Sequence, residues 1–297
     1  MPASHAAAFR QPCRALEPQA FTLDALEQWA LQRAAHVAAD RLRLTSLWCL
    51  DYIRQDVLDD RKTRYSLRLA QAENYGTAFG PISPLRDADH DLVGIDCREI
   101  LKDRRCRDDI DRTALIDLVV GHIPATASHQ LVVDQALPDK YAARSRLFAD
   151  EADAALRRKG MGAIKGRRPA VLVVGATSGI LAALVERGFD VTATDMSPEV
   201  VGRSLGGVPV HDATENGSLI AAADLAVITG MTLPNRTLPG LIEAAKAHNT
   251  STMIWAITGR NLGSYYTEHG IDCVISDPAP FLQLPGPATI GIWRRER

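Results

Sequence analysis

From residue 170 onward the chain alternates short apolar runs with longer segments whose apolar positions recur every three or four residues. The runs "PAVLVVGA", "FDVTATD", "DLAVITG", "STMIWAITG", "IDCVISD" and "ATIGIW" are rich in β-branched side chains, and helical patterns such as "GILAALVERG" and "LPGLIEAAKAHN" separate most of them. Strands alternating with helices predict a parallel sheet covered on both faces, a doubly wound, Rossmann-like α/β unit. Such a sheet takes its ligand beyond the carboxyl ends of its strands, where the strand order reverses. The residues just after Val174, Thr194, Ile228 and Ile257 are therefore the first place to look for chemistry.

The first half is less regular. "FTLDALEQWALQRAAHVAADRL" places Leu23, Leu26, Trp29, Ala30 and Ala34 on one side of a helix that Thr22 can cap. "SLWCLDYIRQDVLDD", with Leu47, Leu50, Tyr52, Ile53 and Val57, reads as further helix. "RYSLRLAQAENYGTAFGPISP" then changes to alternation and glycines, the pattern of a strand or hairpin. "DRTALIDLVVGHIPATASHQLVVDQAL" mixes a helix, a turn at Gly121 to Pro124 and an ambiguous apolar stretch, and Asp139 to Arg157 forms a polar-faced amphipathic helix. The Gly/Lys/Arg-rich connector "KGMGAIKGRRP" marks the expected boundary between a mainly helical α+β domain, residues 1–158, and the Rossmann-like domain, residues 159–297.

A chain of 297 residues is long enough for two such lobes. With 34 basic and 36 acidic side chains it implies no broad electropositive face, so a small molecule is expected as partner rather than nucleic acid. The five cysteines lack CxxC spacing, and no apolar run is long enough for a signal peptide or a membrane span; a reduced, cytoplasmic setting is expected, with no membrane partner. A homodimer is compatible with this reading.

"VLVVGATSGI" has the outline of a nucleotide-binding turn. Gly175 and Gly179 permit a tight strand-to-helix corner, with Ala176 and Thr177 presenting backbone to a ligand at a helix N-terminus. A plain structural corner can look the same. Asp195, twenty residues beyond Gly175 and followed by Met196, stands where a carboxylate accepts both hydrogen bonds of a ribose diol, although it can also cap the segment "MSPEVV". Thr177 and Ser178 occupy the place where a dinucleotide turn needs its middle glycine. The turn also resembles that of short-chain dehydrogenases, but Leu181 replaces their next glycine and no tyrosine here starts a YxxxK pair. A ligand without a pyrophosphate fits better.

The order of glycine turn, Asp195 and then Asp212 in "VHDATENGS" resembles class I methyltransferases, which implies S-adenosylmethionine with Asp212 toward the adenine amine; Asp212 can equally cap a helix. After the next strand, "ITGMTLPNRTLPG" offers Thr229, Gly230, Thr232, Asn235 and Thr237, side chains and backbone able to orient an amino-acid moiety, with Thr237 also a helix cap. "DLAVITGMTLPNRTLPGLIEAAK", together with "KYAARSRLF", resembles a Rossmann family named for heavy-metal chelation and of unknown function. Within that neighbourhood the chain looks most like bacterial azetidine-2-carboxylate synthases. That resemblance implies cyclisation of S-adenosylmethionine to azetidine-2-carboxylate and methylthioadenosine, with a nonribosomal peptide synthetase as consumer of the product. The alternatives are a conventional methyltransferase and a non-catalytic ligand- or metal-binding protein.

Ring closure needs a neutral substrate amine and a curled tail, a task that falls to Thr232 and Asn235, while a sulfonium favours aromatic faces. Tyr75, Phe79 and Tyr141 are the candidates, with Trp48 and Tyr52 expected in the core and Tyr265 and Tyr266 in surface packing. The histidines, including His90 in "DADHD", show no HxxxH or HExxH spacing, so no metal is expected.

Overall fold

The computed structural model describes residues 16–55, 62–81, 91–106, 108–125, 127–160, 167–278 and 285–296, the side chains of 52–55, 62–63 and 137–138 excepted. Cys13, Val57, Pro84, His90 and most of the 159–169 connector lie outside them.

The first helix, α1 (Leu23–Arg33), starts where Thr22 accepts the backbone N–H of Ala25 at 3.2 Å, and it buries Leu23, Leu26 and Ala30 at helical spacing. Three antiparallel strands follow: β1 (Ser46–Gln55), β2 (Lys62–Gln71) and β3 (Tyr75–Gly80), in the order β1-β2-β3. The segment "SLWCLDYIRQ", expected as helix, is thus a strand, paired with β2 along all of its length. Leu47 and Leu50, three residues apart, fit a helical period, and the partner strand's ladder overrode that local signal. Trp48, expected in the core, is 50% exposed, its indole N–H donating to Ser46 Oγ.

After α2 (Cys97–Lys102), α3 (Asp109–Val120) packs on one face of this small sheet; there the buried Arg68 of β2 meets Asp111 at 2.7 Å. The opposite face carries Tyr65 and Leu67 of β2 and Tyr75, Thr77 and Phe79 of β3, since residues directly paired across strands share a face. That face turns toward the second half of the chain.

The second half builds on β4 (His129–Val133), α4 (Leu137–Arg158), β5 (Ala170–Val174), α5 (Ser178–Glu186), β6 (Asp190–Asp195), β7 (Ser204–Leu205), β8 (Val208–Asp212), α6 (Asn216–Ala222), β9 (Leu225–Thr229), α7 (Leu238–Ala247), β10 (Ser251–Ala256), α8 (Gly263–Glu268), β11 (Cys273–Ser276) and β12 (Ala288–Arg294). Nine strands form one sheet in the order β4-β12-β11-β10-β9-β5-β6-β8-β7. The pairings among β11, β10, β9, β5, β6 and β8 are parallel, and β12, β4 and β7 add antiparallel edges. The chain is of the α/β class, and its strand order reverses between β5 and β9.

One buried apolar cluster joins α4 and α5 to one face of the sheet. The other runs from Phe21, α1 and α3 through α7 and α8 to the opposite face, so the first and second halves share a continuous core. Tyr265 and Tyr266, expected in surface packing, belong to that core at 1% and 0% exposure, with Phe21 stacked 6.2 Å from Tyr266. β4 and α4 precede the connector yet are part of the large sheet's layers.

Asp117 of α3 fastens the small sheet to the large one. Its fully buried carboxylate accepts the backbone N–H of Thr77 in β3 at 2.8 Å and of Asn261 after β10 at 2.7 Å, with a third bond from the backbone of Arg260. Burial pushes this carboxyl up to about 8, against the pull of the three N–H donors.

Candidate functional site

A cavity of about 470 Å3 lies at the carboxyl ends of β5, β6, β8, β9 and β10, spanning the reversal of strand order. Gly175, Ala176 and Thr177 line it after β5, Asp195 and Met196 after β6, and Asp212 to Thr214 with Asn216 after β8. Thr229, Met231, Thr232, Asn235 and Thr237 follow β9, and Trp255, Ile257 and Thr258 end β10. Tyr65 and Phe79 reach the cavity from the small sheet, their rings edge to face at 6.4 Å.

The glycine turn is held from two sides. Gly175 has φ +92°, and a Cβ there would come within 2.7 Å of Thr229 Cγ2. Gly175→Ala is therefore expected to cost about 1–3 kcal/mol of stability from backbone strain and to displace Thr229 at the cavity wall. Chemical denaturation would check it; a variant as stable as the parent would show that the turn can relax. Asp195 accepts the N–H of Ala176 through Oδ2 at 3.0 Å and that of Ser197 through Oδ1 at 2.8 Å, clipping the turns after β5 and β6 together. Each carboxylate oxygen keeps a second lone pair for a ligand.

Asp212 combines both roles weighed for it. Its Oδ1 accepts from the N–H and hydroxyl of Thr214, capping a short 3₁₀ turn, and these bonds hold its pKa below the ordinary aspartate value, while the residue still lines the cavity. Asn216 was not foreseen: its Oδ1 accepts from Thr194 Oγ1 at 2.6 Å, which fixes the amide between β6 and β8.

After β9, Thr232 is buried and donates to Thr229 O at 2.7 Å. Asn235 is exposed at the rim: its Oδ1 accepts from the N–H and hydroxyl of Thr237, and its Nδ2 lies 3.4 Å from Met196 Sδ. Four other expected site residues do not line the cavity. A Cβ on Gly179 would meet Ser145 Oγ of α4, and one on Gly230 would meet Thr258 O, so both glycines serve close packing. Tyr75 lies under Arg260, and Tyr141 flanks Arg144.

That second contact belongs to a support behind the cavity. Trp255 donates from its indole N–H to Asp277 Oδ2 at 2.7 Å, while the buried Arg144 of α4 lies 4.9 Å from the Trp255 ring and 3.5 Å from the same carboxylate. Burial raises the Asp277 pKa, and Arg144 and the indole oppose the shift. "KYAARSRLF" thus reaches the cavity indirectly, through one tryptophan. No periodicity signals a contact between residues so far apart in the chain.

The cavity's chemistry is one-sided. Asp195 and Asp212 are its carboxylates; no lysine, arginine or histidine is among the described residues that line it, and Tyr65, Phe79, Met231, Trp255 and Ile257 make up an apolar wall. Among the described residues no group of three or more His, Cys, Asp or Glu is placed to hold a metal ion. Among its described lining residues the cavity offers no imidazole or thiolate for a soft metal, and its carboxylates already accept local N–H groups. These residues do not fit a heavy-metal centre.

No curated protein matches the chain. Two solved structures of unknown function from the DUF364 family have related folds. One, from Desulfitobacterium hafniense DCB-2, is 15% identical with TM-score 0.51, covering 90% of this chain and 98% of its own. The other, from Pyrococcus horikoshii, is 12% identical with TM-score 0.51, covering 86% of each chain. Residues 163–274 match the model of that family, described as "Putative heavy-metal chelation". Over most of its length the chain thus shares the fold of DUF364 proteins, and over residues 163–274 it is similar to that family in sequence.

Proposed function

We propose that the cavity binds S-adenosylmethionine and closes its amino-acid tail to azetidine-2-carboxylate, releasing methylthioadenosine. The observation that carries this reading is the cavity's charge pattern: carboxylates at the ends of β6 and β8, an aromatic and thioether wall, and no basic side chain among its described lining residues. Such a lining repels a pyrophosphate and favours a neutral nucleoside bearing a cationic sulfonium. Asp195 takes the ribose diol, and Asp212 with Asn216 faces the adenine edge. The sulfonium lies under Tyr65 and Phe79, beside Met231.

In this reaction the substrate amine, once deprotonated, attacks its own γ carbon as the bond from that carbon to sulfur breaks; the amine proton goes to solvent, and methylthioadenosine leaves neutral. The roof of Tyr65, Phe79, Met231 and Ile257 excludes water, which favours the neutral amine. Thr232 and Asn235 hold the curled tail. Ring closure is preferred to methyl transfer on the likeness to azetidine-2-carboxylate synthases read from the sequence of the chain as a whole.

Incubation with S-adenosylmethionine alone should yield methylthioadenosine and azetidine-2-carboxylate in equal amounts, at a rate that rises with pH and levels off above the pKa of the bound amine. Methylthioadenosine without the cyclic amino acid would overturn ring closure. Turnover only after a methyl acceptor is added would assign a conventional methyltransferase instead.

A further inference from the structure

Four arginines of this fold meet carboxylates: Arg68 with Asp111 at 2.7 Å, Arg144 with Asp277 at 3.5 Å, Arg112 with Glu27 at 2.6 Å and Arg294 with Glu151 at 2.6 Å. Arg260, in the loop between β10 and α8, is different. Its guanidinium lies 4.3 Å over the ring of Tyr75, its buried Nε has no hydrogen-bond acceptor, and it makes no ion pair among the described residues. Burial lowers its pKa, to about 10. Withdrawing an unpaired cation from water costs several kcal/mol, and an aromatic face recovers only about 0.5–2 kcal/mol of that.

The position of Arg260 is fixed at the backbone, whose N–H donates to Asp117 and whose carbonyl accepts from Ser276 Oγ at 2.7 Å. Two residues earlier the same loop forms the cavity wall at Thr258, and Gly259 N–H donates to Thr77 O of β3 at 3.0 Å. Tyr75 and Phe79 stand on the same face of β3, one under Arg260 and the other over the cavity. The cavity supplies carboxylates for a nucleoside and a sulfonium, but no cation among its described lining for the carboxylate that an amino-acid tail brings with it. One loop therefore carries both the cavity wall and a half-buried cation without a counter-ion among the described residues.

We propose that Arg260, backed by the Tyr75 ring, is the binding residue for a carboxylate, and that this carboxylate belongs to the amino-acid tail of the ligand in the cavity. The assignment rests on the nucleoside reading of that cavity. The guanidinium fork donates two parallel hydrogen bonds to a carboxylate, which holds the acid end of the tail while its amine turns toward the γ carbon.

Calorimetry on the full chain, with S-adenosylmethionine, methylthioadenosine and free L-methionine as titrants, tests this assignment. Arg260→Gln should weaken S-adenosylmethionine binding about ten- to a hundredfold and leave methylthioadenosine, which lacks the carboxylate, within about twofold. Arg260→Lys, which keeps the charge without the fork, should fall between the glutamine variant and the parent for S-adenosylmethionine, and it serves as the test if the glutamine variant does not fold. Equal weakening of both nucleosides, or of neither, overturns the role of Arg260 and leaves the cavity reading standing. Loss of methionine binding alone places a separate acid at Arg260 and overturns the tail assignment. Binding of neither nucleoside to the parent protein overturns the cavity reading, and the assignment with it.

Discussion

Asp117→Ala should destabilise the fold by about 3–5 kcal/mol, lowering the thermal midpoint by roughly 5–10 °C. The carboxylate is fully buried and accepts backbone N–H groups of Thr77, Arg260 and Asn261, so truncation leaves donors from two elements facing a void. The same change should weaken nucleoside binding. Asp117 holds β3 against the loop after β10, and those two segments bring Phe79 and Thr258 to the cavity, with Phe79 N–H donating to Thr258 Oγ1 at 2.9 Å. A denaturation curve and a nucleoside titration on one preparation check both effects. An unchanged midpoint with unchanged affinity would mean that the shared apolar core alone holds the two sheets in register.

The second large effect is expected at Asp195. Asp195→Ala removes the acceptor for the N–H groups of Ala176 and Ser197 and, in the proposed complex, for both ribose hydroxyls. Charge-assisted hydrogen bonds of this kind contribute about 1.5–3 kcal/mol each, so affinity for S-adenosylmethionine and for methylthioadenosine should fall together by about a hundredfold or more. The parallel loss is the diagnostic feature, because Arg260→Gln is expected to separate the two ligands and Asp195→Ala is not. If both affinities stayed within about threefold of the parent, Asp195 would be a clip between two turns and nothing more.

Much of the second half of the fold was legible in the sequence because strands buried on both faces read as near-continuous apolar runs, as β5, β9, β10 and β11 do, while the more exposed β6 and β12 show alternating burial. The small sheet was less legible. β1 is an edge strand with Trp48 half exposed and Leu50 exposed as well, so its pattern carries no clean period. Part of the cavity was also readable: Gly175, Ala176, Thr177, Asp195, Met196, Asp212, Thr229, Thr232 and Asn235 line it because a doubly wound sheet gathers the loops at its carboxyl edge. Asn216, Tyr65 and Trp255 line it too. Tyr65 arrives from another sheet, and Asn216 is placed by a hydroxyl on β6.

The aromatic candidates mark the limit most clearly. Tyr75 and Phe79 share a strand face and comparable sequence surroundings, yet one supports Arg260 and the other covers the cavity. Sequence by itself determined the alternation of strands and helices after residue 170, the glycine turn and the loops from which a ligand must be held, because those follow from local period and backbone freedom. Only the tertiary structure decided which aromatic roofs the cavity, that Trp255 is held by Arg144 and Asp277, and that Arg260 has no counter-ion among the described residues. Each of those depends on distances between segments far apart in the chain, which burial and charge pairing set once the two sheets pack together.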